Sequence, residues 1–367
     1  MGPTFNDLAA LPELWRVLAS ETRDIWLYGM GNGADKILAV LGERGIPVKG
    51  VFASDGFVRG QVFRGMPVRS FSEVCALYPK GGCVVLLSFG SARPEVLSLV
   101  EDVAARYPLF VPDVPVCGED LFDKAYFLAH KAELSAARAC LADEESKTLF
   151  DLSLAYKITG RLDLLFSAVS PTGATREILS LDSVHHMVDL GAYNGDTVRE
   201  MMEIASLKTA IAAEPDRRNF KKLSSWAEGV TSPKITCHHV AISDKTGLAP
   251  FDASGNRNAG LATGRESAAT AVETATVDGL TGGAPVDYIK YDVEGAEAAA
   301  LRGSRATVAR EAPRLKVACY HRSEDLFTLP LLIRELSPHY DIYLVRERSL
   351  PLWDLDLLAT PRENVKI

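Results

Sequence analysis

Short apolar runs alternate with amphipathic stretches in the first third of the chain. The runs at 25–28, 48–52 and 83–88 predict strands, and residues 83–88 are apolar almost throughout, as expected of a strand buried on both faces of a sheet. Apolar positions three and four residues apart predict a helix over 34–44. Because strand, helix and strand follow one another, we predict a small parallel α/β domain over residues 1–114.

The same alternation returns in the second half of the chain, after a helical stretch. Apolar residues at helical spacing over 119–165 predict a helical connector, to which we assign residues 115–184. A second α/β domain is predicted over 185–367. Its predicted strands lie at 187–190, 209–214, 235–241, 286–291, 314–320, 340–344 and 353–359, and its predicted helices at 196–204, 216–226 and 296–302. Residues 253–274, rich in Gly, Ala, Ser and Thr, predict a long loop between two core strands.

Composition and charge narrow the classes of function. The 367 residues are 47% hydrophobic and 24% charged, which is ordinary for a globular protein and excludes a disordered chain. The net charge of −8 is spread along the sequence and leaves no basic segment for nucleic acid. No apolar run approaches the ~20 residues of a membrane helix, and no leader pattern is seen, so we expect a cytoplasmic protein without a membrane span. The six cysteines form no CxxC pair, which indicates reduced thiols, and we assign no metal ligands.

A glycine-rich turn follows the first predicted strand. Gly29, Gly31 and Gly33 stand between that strand and the next helix, where backbone amides and the helix N-terminus can accept a phosphate. Asp55, at the end of the second strand, is placed to accept hydrogen bonds from a ribose. The spacing departs from the dinucleotide fingerprint, so two hypotheses stay open: a bound nucleotide or nucleotide-sugar, and a tight turn of a Rossmann-like scaffold.

A second cluster of candidate ligand-binding residues, more specific than the first, follows the strand at 187–190. Asp189 ends this strand, glycines run through the turn, and Glu214 ends the next strand 25 residues later, near the ~20-residue spacing of a ribose acceptor. Asp292 and Glu294 end a third strand, at the edge of the sheet where ligands of open α/β folds bind. Three strands that end in carboxylates suit a cationic, ribose-bearing ligand, and S-adenosylmethionine has that character.

Residues 186–326 resemble the FkbM family of S-adenosylmethionine-dependent methyltransferases. The resemblance is carried, in order, by residues 188–197 (VDLGAYNGDT), 214–220 (EPDRRNF), 240–244 (VAISD), 276–278 (TVD), 289–297 (IKYDVEGAE) and 320–326 (YHRSEDL). It implies a class I methyltransferase fold, Rossmann-like with seven strands of which the last is antiparallel. It also implies methyl transfer to a hydroxyl of a saccharide or natural product, and the N-terminal domain is similar to those of polysaccharide-related members. Residues 344–348 (LVRER) lack the histidine expected after the corresponding arginine.

The resemblance also implies a set of cofactor-binding residues. Residues of the turn would hold the methionine part, Glu214 with Pro215 the ribose, and a short segment the edge of the adenine. The full set is Asp189, Gly191, Ala192, Tyr193, Asn194, Gly195, Asp196, Thr197, Glu214, Pro215, Ala241, Ile242, Ser243 and Asp292.

The acceptor hydroxyl must lose its proton as the methyl group moves, because a neutral hydroxyl is a poor nucleophile. His321 is the first candidate for the base, since an imidazole with an unperturbed pKa of about 6.5 is mostly neutral at pH 7. Asp292 and Glu294 follow, either as bases or as ligands of a divalent cation. The pairs at 185–186 and 238–239 are interpreted as structural histidines, because neighbours on a strand face opposite ways.

The leading prediction is therefore an O-methyltransferase whose acceptor is a small molecule or saccharide. One alternative is a nucleotide-sugar- or dinucleotide-binding oxidoreductase that uses the N-terminal glycine turn, although no catalytic His or Lys-Tyr arrangement accompanies it. Another is a non-catalytic binding protein that keeps the fold. We further expect residues 253–274 to form a flap that orders over the bound acceptor. The acceptor, the methylated position, metal dependence and the oligomeric state stay open.

Overall fold

The N-terminal part of the chain forms a six-stranded sheet. The computed structural model describes residues 2–251 and 270–362. The strands are β1 (Asp24–Tyr28), β2 (Gly50–Ala53), β3 (Val62–Phe63), β4 (Met66–Ser70), β5 (Cys83–Leu87) and β6 (Leu109–Phe110), and the helices are α1 (Leu14–Ala19), α2 (Asn32–Glu43), α3 (Phe71–Leu77) and α4 (Pro94–Arg106), with short 3-10 helices at Leu8–Ala10 and Asp55–Phe57. The sheet order is β3-β4-β2-β1-β5-β6, and all neighbours pair in parallel except β3 with β4.

Burial explains why this sheet forms where the apolar runs predict. All residues of β2 and β5 are buried, and α2 turns its apolar face to the sheet through Ala34, Ile37 and Leu41. A capping box starts α3: the Ser70 side chain accepts from the Glu73 amide, and the Glu73 carboxylate accepts from the Ser70 amide. These elements place the carboxyl ends of β1, β2 and β5 at one edge.

Helices connect the two sheets. They are α5 (Lys124–Ala129), α6 (Lys131–Cys140), α7 (Glu144–Thr159), α8 (Leu162–Ser167) and α9 (Ala174–Ile178), followed by a 3-10 helix at Leu181–Ser183. Most of α7 is buried, and the Lys157 ammonium lies 2.7 Å from the Asp113 carboxylate, a buried ion pair between α7 and the segment after β6. The predicted limits at residues 114 and 184 fall between the last strand of the first sheet and the first strand of the second.

The C-terminal part forms a seven-stranded sheet with a small sheet beside it. The strands are β7 (His186–Leu190), β8 (Thr209–Ala213), β9 (Lys234–His238), β10 (Ala241–Ile242), β11 (Gly247–Phe251), β12 (Thr270–Ala275), β13 (Tyr288–Tyr291), β14 (Arg314–Ala318), β15 (Tyr340–Arg346) and β16 (Leu355–Pro361). The helices are α10 (Asp196–Ile204), α11 (Arg217–Ala227), α12 (Val277–Thr281), α13 (Glu297–Arg302), α14 (Arg305–Glu311) and α15 (Asp325–Leu336).

The large sheet has the order β15-β16-β14-β13-β7-β8-β9, and β10, β12 and β11 form the small sheet. Strands β9, β8, β7, β13 and β14 are parallel, whereas β16 is antiparallel to both of its neighbours. This is the order of a class I methyltransferase sheet. The predicted fold class, a Rossmann-like seven-stranded domain after a smaller parallel α/β domain, is confirmed.

Three local predictions differ from the structure. The strand predicted at 235–241 is divided, because β9 belongs to the large sheet and β10 to the small one. The loop predicted at 253–274 is wrong at its end, since residues 270–274 pair with β11; its residues 253–269 lie outside the described residues. Helices α3, α4, α12, α14 and α15 were not predicted. Among the described residues, no helix is both long and apolar enough to cross a bilayer.

Candidate active site

A cavity of about 380 Å³ opens at the carboxyl ends of the parallel strands of the large sheet. This is where open α/β sheets bind ligands, and the volume is in the range of about 300–1,000 Å³ that small-molecule sites have. Its walls come from the turns after β7, β8, β13 and β14, from the loop between β15 and β16, and from the loop after β5 of the N-terminal sheet. Both halves of the chain therefore build one cavity.

The turn after β7 is shaped by close backbone contacts. Gly191 has a φ of +79°, and a Cβ there would lie 1.8 Å from the carbonyl oxygen of Asp292, so no side chain fits. Gly195 has a φ of +87° and packs against the ring of Trp226. Between them Tyr193 adopts a φ of +47°, unusual for a residue with a side chain. The strained turn brings Gly191 and Tyr193 to the wall of the cavity.

Glu214 lies at the end of β8 and is nearly buried. One carboxylate oxygen accepts from the amide of Tyr193 and the other from the amide of Asp216, both at 2.8 Å. Burial raises the pKa of Glu214 to about 7, although the two amide hydrogen bonds oppose this change. Because the carboxylate is fixed at the cavity wall, it is placed to accept hydrogen bonds from a diol.

A buried lysine lies between two acidic residues beneath the cavity. The Lys290 ammonium is 3.2 Å from Asp292 Oδ2 and 3.6 Å from Asp189 Oδ1. Asp189 is fully buried, neither of its oxygens has a hydrogen-bond partner among the described residues, and burial raises its pKa. Burial alone would lower the pKa of Lys290, but the two carboxylates raise it above its usual value, so Lys290 is a fixed positive charge.

His321 follows β14 and is surrounded by carboxylates. Its Nδ1 lies 3.0 Å from Glu297 Oε1, an ion-pair contact outside hydrogen-bond geometry, and Glu297 Oε1 also accepts from the Val293 amide. On the other side of the ring, Nε2 lies 3.6 Å from Asp292 Oδ1 and 3.4 Å from Glu294 Oε2. The ring and Glu297 are both buried, whereas Asp292 and Glu294 are partly exposed.

The protonation state of His321 differs from the one that the sequence predicts. Burial alone would lower the pKa of His321, but Glu297, Asp292 and Glu294 raise it to about 10, so the ring is an imidazolium at pH 7. The unperturbed pKa assumed for this ring is therefore wrong in the folded protein. Burial raises the pKa of Glu294 to about 7 against the opposing effect of the imidazolium, and Glu294 has a strained φ of +52°.

The same cluster has the donor set of a cation site. Asp292, Glu297 and His321 each offer one ligand atom, and these atoms lie within 4.8 Å of one another. Carboxylate oxygens and an imidazole nitrogen suit several divalent metals. An ion pair between the imidazolium and the carboxylates satisfies the same groups without a metal.

Eleven of the residues predicted for the site line the cavity. They are Gly191, Tyr193, Asp196, Thr197, Glu214, Pro215, Ala241, Ile242, Asp292, Glu294 and His321. Five predicted residues do not line it, namely Asp189, Ala192, Asn194, Gly195 and Ser243. Asp189 lies in β7, Ser243 follows β10, and the other three belong to the turn after β7. The Ala192 amide donates to the Ala213 carbonyl, and Asn194 accepts from Arg199.

Sequence reasoning missed the remaining lining residues. From the N-terminal half these are Gly90, Ser91, Ala92 and Val116, and from the C-terminal half Ala213, Asn219, Lys290, Val293, Ala296, Tyr320, Ser349, Trp353 and Asp354. The first three follow β5, so the rule that ligands bind beyond the carboxyl ends of parallel strands was a usable signal. The loop with Ser349, Trp353 and Asp354 had no such signal, because it connects antiparallel strands.

The N-terminal glycine turn has packing reasons for two of its glycines. A Cβ at Gly29 would lie 2.4 Å from the ring of Phe89, and a Cβ at Gly33 would lie 2.6 Å from the carbonyl oxygen of Ser88. Asp55 accepts hydrogen bonds from the amide and hydroxyl of Ser72 in the first turn of α3. The nucleotide at this turn stays a prediction, and these contacts favour the tight-turn hypothesis.

The paired histidines make local contacts. Nδ1 of His185 lies 2.9 Å from the carbonyl oxygen of Ser206, and Nδ1 of His186 lies 2.8 Å from the hydroxyl of Thr209. His239 stacks on Phe220, with the two ring centroids 4.8 Å apart. These contacts agree with the interpretation of the pairs as structural residues.

A solved structure is similar to nearly the whole chain. The crystal structure of Methyltransferase FkbM from Methylobacillus flagellatus KT is similar over 97% of this chain and 98% of that chain, with 20% identity and a TM-score of 0.72, which shows a shared fold. Precorrin-6y C5,15-methyltransferase from Geobacter metallireducens GS-15 (9% identity, 53% of this chain, 90% of that chain, TM-score 0.33) and Aeropyrum pernix fibrillarin with natively bound S-adenosyl-L-methionine (11%, 49%, 67%, 0.31) are too distant to support a conclusion.

No curated protein sequence matches the chain. The sequence from residue 189 to residue 341 matches the family described as the Methyltransferase FkbM domain. This range contains Glu214, Asp292, Glu294 and His321, which line the cavity. Residues 189–341 of this chain therefore match the FkbM methyltransferase family, as the sequence resemblance predicted.

Proposed function

We propose that the protein is an S-adenosylmethionine-dependent O-methyltransferase that acts on a hydroxyl of a saccharide or natural product. The observation that carries this proposal is the position of two groups on the wall of one cavity. Glu214 offers a fixed carboxylate for a ribose, and the cluster of His321, Asp292 and Glu294 offers acceptors for a proton. The family match of residues 189–341 supports methyl transfer as the reaction.

The residues at the cavity fit the cofactor. Glu214 keeps free lone pairs beside its two amide hydrogen bonds, and Gly191 lets the turn backbone come close to a ligand without a side chain in between. Residues 189–197 would hold the methionine part, Glu214 and Pro215 the ribose, and Ala241, Ile242 and Ser243 the adenine edge. When bound, the cofactor supplies a methyl carbon on a positively charged sulfur.

Proton removal is the part of the reaction that the protein's own side chains perform. Methyl transfer would form a bond between the acceptor oxygen and the methyl carbon and break the carbon–sulfur bond, whose electron pair would go to the sulfur. The hydroxyl proton would pass to a base. Among the three candidate bases we place Glu294 first, because His321 already carries a proton and lies 3.4 Å from Glu294 Oε2. The imidazolium then holds the carboxylate in place, while Asp292 is paired with Lys290.

Isothermal titration with S-adenosylhomocysteine tests the cofactor part directly. Glu214→Ala removes hydrogen bonds to a charged group, each worth ~1.5–3 kcal/mol, so we expect at least about tenfold weaker binding. Glu335→Ala is the matched control, because Glu335 is on the surface of α15 and pairs only with Arg305 among the described residues. Equal affinity in the Glu214 variant and the control, or wild-type protein that does not bind, would contradict the proposal.

A further inference from the structure

The N-terminal domain contributes to the wall of the cavity that His321 also lines. Gly90, Ser91 and Ala92 of the loop after β5 belong to this wall. Ser91 and Leu350 exchange two backbone hydrogen bonds of 2.8 and 2.9 Å, which join this loop to the loop between β15 and β16. The two loops, residues 88–92 and 347–354, therefore form a continuous wall, which we call the bridged wall.

An aromatic ring lies directly on the backbone of the bridged wall. A Cβ built at Gly90 would lie 2.1 Å from the ring of Trp353, so the ring is in contact with Gly90 and no side chain fits between them. Trp353 is partly exposed and lines the cavity. A tryptophan held in this way offers a flat apolar surface to a ligand at small entropic cost, because the ring is already fixed.

Arg346 fixes the position of the loop that carries Trp353. Its guanidinium is buried and donates to the carbonyl oxygens of Leu165 and Ala168 in the connector, and to those of Ser349 and Pro351 in the loop. The Ser349 hydroxyl also donates to the Trp353 carbonyl at 2.7 Å. The bridged wall is therefore a preorganised surface.

The charged side chains that line the cavity are mainly acidic. Asp292, Glu294 and Asp354 are among them, and the positive charges of Lys290 and His321 each already lie within 3.6 Å of at least two carboxylates. Burial, and then Asp292 and Asp354, raise the pKa of Tyr320 well above its usual range, so its phenol stays a neutral hydrogen-bond donor and acceptor. A phosphate group here would meet like charges, which disfavours its binding.

We propose that the bridged wall is the acceptor-binding surface, and that the acceptor is a non-phosphorylated polyol, uncharged or bearing an amine, whose apolar ring face lies on Trp353. This inference rests on the proposed function and defines its acceptor. It gives the N-terminal domain the role of binding the acceptor, and the carboxylates the role of accepting hydroxyl or ammonium groups and rejecting phosphate esters.

The test uses matched pairs of probes and measures S-adenosylhomocysteine release by the full-length protein. The probes are methyl glycosides of neutral hexoses, the methyl glycoside of glucosamine, the 6-phosphate of each, and a nucleotide-sugar. We expect turnover of non-phosphorylated glycosides and at least about tenfold lower kcat/KM for every phosphorylated partner. Equal or better turnover of the phosphorylated partners would overturn the proposal.

Variants of the wall separate acceptor binding from the rest of the reaction. Trp353→Ala and Gly90→Ala should each raise the acceptor KM about tenfold or more, with S-adenosylhomocysteine affinity unchanged, because each removes or displaces the ring. Trp353→Phe keeps an aromatic ring, so its acceptor KM should lie close to that of the wild type. This result would also show that the loop still folds. Gly56→Ala is the matched control, since a Cβ there meets nothing within 4 Å.

Three further outcomes would each contradict a different part of the proposal. An unchanged acceptor KM in Trp353→Ala would overturn the role of the bridged wall. If S-adenosylhomocysteine binds but no glycoside is turned over, the polyol acceptor is wrong while the cofactor part of the proposed function stands. If S-adenosylhomocysteine does not bind at all, the proposed function itself fails, and the two failures are thereby distinguished.

Discussion

The chain contains two parallel sheets, and in each a glycine-rich turn follows the first strand while an acidic residue comes soon after the second. In the C-terminal sheet the turn at 191–195 lines a cavity, and Glu214 is fixed on its wall. In the N-terminal sheet the turn at 29–33 packs on Ser88 and Phe89, and Asp55 caps α3 through Ser72. The pattern is similar, but the partners of the acidic residue differ.

This difference shows what a glycine turn does and does not indicate. Glycines permit a tight strand-to-helix connection in any doubly wound sheet, so they predict the connection and not a ligand. What separates the two regions is whether the acidic residue on the neighbouring strand still has acceptor capacity at a cavity. The predictions below test this contrast, beginning with the chemistry that accompanies only the second turn.

The largest effect should come from the carboxylate beside His321. We expect Glu294→Gln to lower kcat by roughly 10²–10⁴, the usual contribution of a general base, with S-adenosylhomocysteine affinity nearly unchanged. His321→Gln should lower kcat as well, because it removes the positive charge 3.4 Å from Glu294 Oε2. Both are measured with an acceptor that the wild type methylates, and Glu335→Gln serves as the surface control.

The pH profile of kcat tells the two candidate bases apart. A base must be unprotonated, so activity is lost as pH falls through its pKa. A loss near pH 7 agrees with Glu294 and a loss near pH 10 with His321, since these are the pKa values of about 7 and about 10 that the cluster imposes. Activity that disappears after dialysis against EDTA would instead reassign Asp292, Glu297 and His321 to a bound cation.

The next largest effect is a loss of stability when one glycine of each turn is replaced by alanine. Gly191→Ala puts a methyl group 1.8 Å from the Asp292 carbonyl at a positive φ, and Gly33→Ala puts one 2.6 Å from the Ser88 carbonyl. Overpacking of this kind costs typically ~1–3 kcal/mol of the free energy of unfolding, and we expect the larger loss at Gly191. Thermal unfolding measures both, with Gly56→Ala as the control.

The same pair also tests which turn holds the cofactor. Saturating S-adenosylhomocysteine should raise the Tm of Gly33→Ala as much as that of the wild type, and should raise the Tm of Gly191→Ala little. An equal ligand-induced rise in both variants would remove the functional difference between the turns.

A smaller effect is expected from the protonation of Glu214. Burial raises its pKa to about 7, and ribose hydroxyls donate to the ionised form, so affinity is full above pH 7 and falls as pH decreases through 7. Between pH 8 and pH 6 we expect a roughly tenfold loss of S-adenosylhomocysteine affinity, measured by isothermal titration. Glu214→Gln should show a flat profile, and a wild-type profile that is equally flat would assign the ribose to another group.

The sequence predicted the parts of the molecule that depend on local pattern. Strand β5 was recognisable because all of its residues are apolar. Strand β7 was recognisable because the motif with Gly191 follows it. The seven strands of the second sheet, with the last one antiparallel, were implied by the family resemblance. Helix α15 was missed although it is largely buried, since Pro330 lies inside it and proline predicts a helix end.

The contacts that form the bridged wall could not be read from the sequence. Ser91 and Leu350 are far apart along the chain, and their pairing depends on how the two sheets pack together. The Glu297 carboxylate faces His321 and raises the pKa of the ring, and nothing in the sequence around Glu297 indicates this contact. Such effects come from tertiary neighbours, and no local pattern indicates them.

The smallest effect should be found at Asp55, the counterpart of Glu214 in the N-terminal sheet. Asp55→Ala removes two exposed hydrogen bonds to Ser72, each worth ~0.5–1.5 kcal/mol, so we expect a small loss in the free energy of unfolding and no change in S-adenosylhomocysteine affinity. Urea unfolding measures the first quantity and isothermal titration the second. The hydrogen bonds from Ser72 also hold the pKa of Asp55 below its usual value, so the stability loss should be present at pH 7 and shrink as pH falls through the lowered pKa. If wild-type protein binds NAD or UDP-glucose and Asp55→Ala does not, the first turn is a nucleotide site after all, and the contrast between the two turns fails.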